Sequence, residues 1–366
     1  MSAFNTDIAQ WRLRNQHLVT PSTFTDPSDV VRSLGAVQSQ DYPNAKWAVA
    51  QRGIGITDAA VERAFSSGTI IRTHVLRPTW HFVAPEDIRW MLALTAPRVS
   101  VVMSYYNRVL GLDAKVLRKS NTVLARALRD AKQLTRTELA KVLSRAGVDV
   151  STGQRLGRVL MQAELDGVIC SGARSGKQFT YALLEERVPA ARTLERDEAL
   201  LELTRRYFAT RSPATLHDFA WWSGLTVGDA KRGVEASGAF LQREDYDGRK
   251  YWFAPSTRES RRPSRTAHLL PNYDEYFIGF KDRSAIGDRL RKSVANPRVD
   301  ALMGHIVFVD GQIVGGWRRT LAKRVDIQGD LLVSVTPGER KLIDAAAKRF
   351  GEFLGLPVKL SWAPRK

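Results

Sequence analysis

Residues 135–167 read TRTELAKVLSRAGVDVSTGQRLGRVLMQAELDG, and this pattern predicts two short helices joined by a turn. Thr135 and Glu138 have the spacing of a capping box, which favours the start of a helix. Ser151 can cap the second helix. The apolar residues of the second helix repeat at i, i+3, i+4 and i+7, and they are Leu156, Val159, Leu160 and Ala163.

Two β-type runs follow the helix pair, at residues 168–170 and 179–183. They are joined by the glycine-rich segment SGARSGKQ, residues 171–178, which carries Arg174 and Lys177. We interpret this segment as the loop of a basic hairpin. Helix, turn, helix and basic hairpin is the order of a winged helix-turn-helix motif, which we assign to residues 133–190.

The same order of elements recurs on both sides of this motif. Residues 191–257 contain a series of amphipathic helices and then a hairpin with its turn at Asp247-Gly248. Residues 1–85 form a looser copy that ends in two strands, and residues 86–132 are expected to be a helical connector. In the looser copy, the predicted second helix carries Val30, Val31, Leu34 and Val37.

The last hundred residues are richer in strand patterns. The alternating runs AHLLP, HIVFVDGQIVGGW, RVDI and LLVSV predict strands, and Asp310-Gly311 is typical of a hairpin turn. A helix over residues 338–354 and a strand at PVKLSW follow, and the polar residues 258–266 are expected to be a linker. The predicted fold class is α+β, mostly helical, with three tandem winged helix-turn-helix motifs and a C-terminal β-rich, barrel-like unit over residues 258–366.

The composition indicates a soluble protein with a polyanionic partner. The 366 residues include 56 Lys and Arg against 38 Asp and Glu, a net charge of +18. An excess of this size favours nucleic acid or an anionic membrane surface. No apolar run approaches the roughly 18 residues of a membrane span, and the N-terminal residues lack the apolar core of a signal peptide. We expect a cytoplasmic, nucleoid-associated protein that binds double-stranded DNA and no membrane.

The basic residues gather in two regions. Residues 115–158 hold eleven Lys or Arg and three acidic residues, whereas residues 311–325 hold four basic residues and no acid. A single charge is most often part of a solvated helix face, but a clustered excess in recognition motifs favours phosphate binding. The residues expected to contact DNA are Arg136, Lys141, Arg155, Arg158, Arg174, Lys177, Arg318, Arg319, Lys323 and Arg324.

Common catalytic and metal-binding motifs are missing from the sequence. It contains no G-x-S-x-G elbow, no P-loop and no H-E-x-x-H. Cys170 is the single cysteine, which excludes a disulfide framework and a cysteine-based zinc site. The adjacent Asp274 and Glu275 would point apart, so they are not expected to form an acid/base pair. His81 is a further candidate site residue, although a buried, hydrogen-bonded histidine is the simpler interpretation. We expect no metal and no cofactor.

Four segments in this order resemble the bacterial winged-helix DNA glycosylases typified by AlkZ and YcaQ. They are LGAVQSQDYPNAKWAVAQR, IRTHVLRPTWHFVAPEDIRWML, LLPNYDEYFIGFKDRS and VDGQIVGGWRR. The resemblance covers most of the chain, and it implies three tandem winged-helix motifs, a C-terminal β-rich unit and a basic concave surface. It also implies removal of N-alkylated purines, including the unhooking of interstrand crosslinks.

The signature of that family, Q-x-Q or Q-x-D, maps onto Gln38-Ser39-Gln40. Ser39 stands where an aliphatic residue is usual, and the glutamine at position 40 is similar to the AlkZ branch. An N7-alkylated purine already carries positive charge, so the site needs only to stabilise an oxocarbenium-like sugar and to orient a water. A carboxamide can accept and donate hydrogen bonds but cannot ionise. Asp41 is the nearest carboxylate and is a further candidate for a base.

Two other functions fit parts of the sequence. A non-catalytic winged-helix DNA-binding protein or transcription regulator would normally dimerise to match paired half-sites. The sequence shows no heptad repeat or dimerisation helix, so we expect a monomer. An enzyme that acts on a nucleotide or another small anion is a third interpretation. The main prediction is a cofactor-free DNA glycosylase that acts on alkylated purines in duplex DNA.

Overall fold

The structure is a computed structural model that describes residues 3–19, 23–189, 192–246, 248–254, 265–293 and 304–363, with the backbone alone for residues 3–7. Helices account for about half of the chain, and the described strands form several small sheets. The predicted α+β class is therefore confirmed.

The N-terminal part of the chain contains four helices and three strands. These elements are α1 (Ala3–Asn15), α2 (Pro27–Leu34), β1 (Ala36–Gln38), α3 (Tyr42–Ala50), α4 (Asp58–Ser67), β2 (Ile71–His74) and β3 (Trp80–Val83). The strands pair antiparallel in the order β1-β3-β2. Asp26, Asp41 and Thr57 cap α2, α3 and α4 because each side chain accepts a hydrogen bond from a first-turn N–H group. The two strands predicted before residue 85 are confirmed.

The prediction that Val37 belongs to the second helix is wrong. Helix α2 ends at Leu34 because Gly35 adopts a φ of +77°, a conformation that favours glycine and stops the helix. Val37 instead lies on β1 and pairs with Phe82 of β3. Gln38 is therefore the last residue of a strand.

The middle of the chain adds a long helix and a compact helix–hairpin unit. The elements are α5 (Ile88–Val109), α6 (Ala114–Ala127), β4 (Leu134–Thr135), α7 (Arg136–Arg145), α8 (Gly153–Leu165), β5 (Ile169–Ser175), β6 (Gln178–Leu183) and α9 (Leu184–Arg187). The capping box of Thr135 and Glu138 is present, but α8 is capped by Thr152 and not by Ser151. Residues 171–178 are mostly strand, because the turn tightens to Gly176-Lys177.

Helix α6 shares an apolar core with α7, α8 and the hairpin that follows them. Leu124 of α6, Leu139 and Leu143 of α7, and Val159 of α8 are all fully buried in this core. Three helices followed by a hairpin therefore pack as one unit, and α6 lies inside it although the sequence suggested a connector.

A second unit with the same order follows. It contains α10 (Arg196–Arg211), α11 (Leu216–Ser223), α12 (Val227–Ala236) and a hairpin of β7 (Gln242–Tyr246) and β8 (Arg249–Phe253). Capping boxes at Thr215 and Thr226 begin α11 and α12. The predicted hairpin is confirmed, while Asp247 of its turn lies outside the described residues.

The C-terminal part is a five-stranded sheet with a long helix. Its elements are β9 (Ala267–Leu270), α13 (Glu275–Ile278), α14 (Asp288–Ser293), β10 (Ile306–Val309), β11 (Gln312–Leu321), β12 (Val325–Leu331), α15 (Pro337–Leu354) and β13 (Val358–Trp362). The order is β13-β12-β11-β10-β9, with β13 parallel to β12 and the other pairs antiparallel.

The structure of the C-terminal part differs from the prediction in two details. The run LLVSV is not a separate strand, because β12 already extends from the RVDI run to Leu331. The barrel-like arrangement is not confirmed, since among the described strand pairs the edge strands β9 and β13 do not meet. The predicted linker over residues 258–266 lies mostly outside the described residues.

The two ends of the chain share one apolar core. The Trp47 ring of α3 lies 5.1 Å from the Phe350 ring and 5.2 Å from the Phe353 ring of α15. Its Nε1–H donates to the Leu269 carbonyl of β9 at 2.8 Å. Residues of α1 to α4 and of the C-terminal sheet belong to the same buried cluster. The C-terminal sheet therefore fixes the position of α3, which begins four residues after Gln38.

A buried carboxylate joins four segments of the chain. Glu275 is 0% exposed, and its Oε2 accepts hydrogen bonds from Arg211 Nη2 at 2.8 Å and Trp222 Nε1 at 2.9 Å. Its Oε1 accepts the backbone N–H of Gln38 at 2.9 Å. The neighbouring Asp274 pairs instead with Arg52 at 2.8 Å. The two adjacent carboxylates thus pair with separate buried cations, which agrees with the prediction that their side chains point apart.

The turn between β2 and β3 is held from two sides. Leu76 has a φ of +64°, and its N–H donates to Thr95 Oγ1 of α5 at 3.1 Å. Its carbonyl oxygen lies against Gly224, the left-handed residue with φ +70° that ends α11. The absence of a side chain at Gly224 allows this close approach.

The Glu275→Gln variant should lose about 3 kcal/mol of unfolding free energy, because it leaves the buried Arg211 guanidinium without its counter-ion. Urea denaturation followed by circular dichroism measures this loss. Glu185→Gln, which changes an exposed carboxylate on α9, is the matched control and should unfold like the wild type. Equal denaturation midpoints for all three proteins would show that the carboxylate is not required for stability.

The Gly224→Ala variant should lower the unfolding free energy by roughly 2 kcal/mol. An added Cβ would collide with the Leu76 carbonyl oxygen, and alanine is strained at φ +70°. Differential scanning calorimetry should show a lower Tm. Gly153→Ala, at a helical position with open space around the new Cβ, is the control and should not lower the Tm. A Gly224→Ala protein as stable as the wild type would contradict this account of the turn.

Candidate active site

Gln38, Ser39 and Gln40 lie where β1 leaves its sheet. Gln38 is 7% exposed and pairs with His81 of β3, whereas Ser39 is 0% exposed and Gln40 is exposed to solvent. The backbone N–H of Ser39 donates to the Trp80 carbonyl at 2.7 Å, so the pairing with β3 continues past Gln38. Of the two glutamines, Gln38 thus lies at the edge of the interior and Gln40 at the surface.

The Gln38 carboxamide contacts the β2–β3 turn. Its Oε1 accepts a hydrogen bond from Arg77 Nη2 at 2.8 Å. Its backbone N–H is bound by Glu275, as described above. Gln38 is therefore fixed both at its main chain and at its side-chain oxygen.

Gln40 is less firmly held. Its Oε1 accepts the backbone N–H of Trp80 at 3.4 Å, at the long end of the hydrogen-bonding range. The Trp80 ring packs beside the His74 ring at 4.3 Å between centroids, and the Arg72 guanidinium lies 4.3 Å from the Trp80 ring centre. Glu164 of α8 is hydrogen-bonded to both His74 and Trp80. A rigid aromatic and cationic surface therefore adjoins Gln40.

Asp41 serves as the cap of α3. Its carboxylate accepts the Asn44 N–H at 3.3 Å and the Asn44 Nδ2 at 2.8 Å. The Asn44 Oδ1 in turn accepts a hydrogen bond from Arg319 Nη2 at 2.6 Å. Arg319 also donates to His305 Nε2 at 2.9 Å, and burial with the nearby guanidinium lowers the pKa of His305 to about 4. This cluster connects β11 to the residues that follow Gln40.

His81 is 0% exposed, which agrees with its interpretation as a buried, hydrogen-bonded histidine. Its Nδ1–H donates to the Thr79 carbonyl at 2.9 Å, which leaves Nε2 as the unprotonated nitrogen. Burial, and then the nearby Arg77 charge, hold the pKa of His81 well below its usual range. The imidazole is therefore neutral at physiological pH. Within the described part of the chain its Nε2 has no hydrogen-bond partner.

The described residues contain no cluster of three or more His, Cys, Asp or Glu side chains that could hold a metal ion. Among the described helices, none combines the length and the apolar character of a membrane span. Cys170 is buried, and this burial raises the pKa of its thiol to about 12. A reactive thiolate is therefore not available at this position.

Several of the predicted DNA-contacting residues bind within the protein. Arg136 donates to the Gly153 carbonyl at 2.7 Å, Arg155 pairs with Asp149 at 3.3 Å, and Arg158 lies 5.1 Å from the Tyr106 ring centre. Arg174 donates to the Lys177 carbonyl at 2.6 Å and stacks at 4.2 Å over Phe179. Lys141 and Lys177 are exposed.

The basic residues near the C-terminus lie around the turn between β11 and β12. Asp310-Gly311 joins β10 to β11, whereas residues 318–324 occupy the far end of β11 and the turn to β12. Arg318 and Lys323 are exposed, Arg324 pairs with Asp326 at 3.0 Å, and Arg319 is occupied by Asn44 and His305. We call residues 318–331 the basic hairpin.

Arg77 was not predicted as a site residue, although it lies in a segment that the family resemblance covers. No spacing rule relates residue 77 to residue 38, because their contact arises from the position of the β2–β3 turn in the fold. Glu275 was considered only together with Asp274, as two carboxylates that are unsuited to act as an acid/base pair. Its role appears only once Arg211, Trp222 and Gln38 are placed around it.

Three comparisons identify relatives of the chain. The family model described as DNA glycosylase AlkZ-like matches residues 31–353. An interstrand DNA cross-link repair glycosylase of Streptomyces sahachiroi is 28% identical over 331 residues, which cover 87% of this chain and 88% of that protein. The solved structure of the Streptomyces sahachiroi DNA glycosylase AlkZ superimposes with a TM-score of 0.80 at 25% identity, covering 99% of this chain and 100% of that one. These matches favour an enzyme over a non-catalytic regulator, and the chain belongs to the AlkZ-like family of DNA glycosylases.

Proposed function

We propose that the protein hydrolyses the N-glycosidic bond of N7-alkylated purine nucleotides in duplex DNA and can unhook interstrand crosslinks. The position of the Q-x-Q segment carries this proposal: Gln38 and Gln40 lie inside the matched family region, at the end of β1, with Gln40 open to solvent. The name of the Streptomyces sahachiroi relative supports the crosslink substrate. We propose that the enzyme works as a monomer in the cytoplasm, where it meets nucleoid DNA.

The proposed reaction needs no general acid. The bond between C1′ and N9 breaks, and its electron pair stays on the base, where it neutralises the charge of the N7-alkylated ring. The oxygen of a water then bonds to C1′, and the water proton passes to solvent. The two carboxamides supply hydrogen bonds that orient the water and stabilise the cationic sugar.

Asp41 and His81 receive secondary roles in this proposal. The Asp41 carboxylate is bound by Asn44, so we assign it to capping α3 and thereby fixing the chain after Gln40. His81 is neutral, fully buried and paired with Gln38 across β1 and β3, so we assign it to supporting β3. Neither residue is required as a base, because the positively charged purine departs readily.

The DNA-binding part of the proposal rests on the repeated helix–hairpin units. Residues 133–190 and 191–257 each present helices followed by a hairpin, which supports winged helix-turn-helix motifs at both places. Residues 1–85 would form the motif that carries the glutamines. The packing of α6 with α7 and α8 supports extending the second motif towards residue 112 and shortening the connector of residues 86–132.

We propose that the exposed members of the predicted set that form no ion pair with the described residues reach the phosphates, namely Lys141, Lys177, Arg318 and Lys323. The other predicted residues, which bind within the protein, would shape the cationic surface or rearrange on binding: Arg136, Arg155, Arg158, Arg174, Arg319 and Arg324. The basic hairpin is a suitable support for the lesion because Arg319 ties it to α3, next to the glutamines.

Gln38→Ala and Gln40→Ala should each lower the single-turnover rate of base release about 100-fold, because each removes hydrogen bonds to the reacting centre. Abasic-site formation in a duplex with N7-methylguanine measures the rate, and a nitrogen-mustard crosslink tests unhooking. DNA affinity should be retained. Gln162→Ala, which truncates a glutamine bonded to Asp166 on α8, is the control. Wild-type rates in both active-site variants would remove the glutamines from the mechanism.

Charge reversal on the basic hairpin should weaken duplex binding. An Arg318→Glu, Lys323→Glu double variant removes two exposed cations. The plot of log affinity against log salt concentration should therefore become shallower, with its slope reduced in magnitude by about 0.9 for each phosphate that the protein no longer neutralises. Titration of labelled duplex at several salt concentrations measures the slope. Lys341→Glu on α15 changes an exposed lysine elsewhere and serves as the control. An unchanged slope in the double variant would place the DNA on another surface.

A further inference from the structure

The hydrogen bond from Arg77 determines how the Gln38 carboxamide is oriented. A guanidinium group carries donors only, so the Gln38 atom at 2.8 Å from Arg77 Nη2 must be the oxygen. The amide nitrogen of Gln38 then points away from Arg77. A flipped carboxamide would place two donors against each other and lose this bond.

Arg77 is held in position by the β2–β3 turn. Its backbone N–H donates to the Val75 carbonyl at 2.7 Å, and its own carbonyl accepts from the Thr79 N–H at 2.7 Å. The preceding Leu76 is anchored by Thr95 on one side and lies against Gly224 on the other. The guanidinium therefore leaves a backbone that is fixed on both sides.

The surroundings of Arg77 strengthen its hold on the Gln38 oxygen. Burial lowers the pKa of the Arg77 guanidinium, and the charge of Glu275 acts in the opposite direction. An arginine stays protonated under such conditions. A hydrogen bond from a charged donor in a partly desolvated site is about twice as strong as a neutral one. It also polarises the amide, which makes the Gln38 NH2 group a better donor.

Gln40 differs from Gln38 in each of these respects. It is exposed, and its oxygen is bound only by the Trp80 N–H at 3.4 Å. That contact is weak, so a small rotation frees the Gln40 oxygen to accept a hydrogen bond from a water. The two glutamines of the motif are therefore not equivalent.

We propose that Arg77 is a positioning residue that makes Gln38 a hydrogen-bond donor to the damaged nucleotide and leaves the acceptor role towards water to Gln40. This inference rests on the proposed function of the two glutamines. In this proposal the Gln38 NH2 group donates a hydrogen bond to an acceptor atom of the bound nucleotide, while the Gln38 oxygen remains bonded to Arg77.

Exchange of each amide for a carboxylate tests the division of roles. A carboxylate keeps the shape of the side chain and can accept, but it cannot donate. Gln38→Glu should therefore be as inactive as Gln38→Ala in single-turnover base release, although its Arg77 partner is retained. Gln40→Glu should keep clearly more activity than Gln40→Ala. If Gln38→Glu were substantially more active than Gln38→Ala, the donor role would be wrong.

A double-mutant cycle tests whether Arg77 acts through Gln38. Arg77→Ala should lower the single-turnover rate up to about 100-fold while KM stays near the wild-type value, because the misplaced carboxamide affects the reaction more than binding. In the Gln38→Ala background the same change should cost no further activity. A fully additive loss would overturn the proposal.

Chemical rescue by guanidinium ion and a control substitution at another arginine complete the test. Low concentrations of guanidinium chloride should partly restore Arg77→Ala and should not restore Gln38→Ala, whereas failure to restore Arg77→Ala would count against the proposal. Arg187→Ala, which removes a half-buried guanidinium that donates to the Ser66 carbonyl at 2.7 Å, is the control and should keep the wild-type rate. If Arg77→Ala does not fold, Arg77→Lys replaces it in the cycle. Full activity of Gln38→Ala would instead remove Gln38 from the mechanism, whereas a wild-type protein that releases no base would refute the proposed function itself.

Discussion

The buried carboxylate of Glu275 is the constraint on which the site depends. It binds the Arg211 guanidinium, the Trp222 indole and the backbone N–H of Gln38, and these groups come from α10, α11 and β1. Removing one partner of a buried ion pair costs much more than the pair contributes over an apolar substitute. The carboxylate therefore specifies the arrangement of distant segments more than it adds stability.

This constraint explains how a strand of three residues can carry the candidate site. Ladder bonds to β3 alone would hold β1 weakly, since short strands fray easily. Arg211 also donates to the Leu34 and Ala36 carbonyls, so both ends of the turn before β1 are bound to the same buried group. Gln38 is consequently bound at its main chain and its side chain, while Gln40, two residues later, reaches the surface and accepts one long hydrogen bond.

The net charge of +18 overstates the cationic surface that is available to DNA. Arg12, Arg52 and Arg211 are fully buried and hold the fold together through carboxylates and carbonyl groups. Arg319 is engaged by Asn44 and His305, so part of the basic hairpin is structural. Charge clustering along a sequence indicates the class of partner, but it cannot separate surface cations from those that the interior uses.

The sequence alone determined the local features: the helix start at Thr135, the three predicted hairpins, the α+β class and the Gln38-Ser39-Gln40 motif. These depend on neighbouring residues, where capping chemistry and side-chain periodicity act directly. Only the tertiary structure decided that Val37 and Gln38 form a strand, that α6 joins the second helix–hairpin unit, and that Arg77 and Glu275 hold Gln38. Each of these depends on groups far apart in the chain. Burial of apolar residues brings distant segments together, and the charges that are buried with them must then be paired.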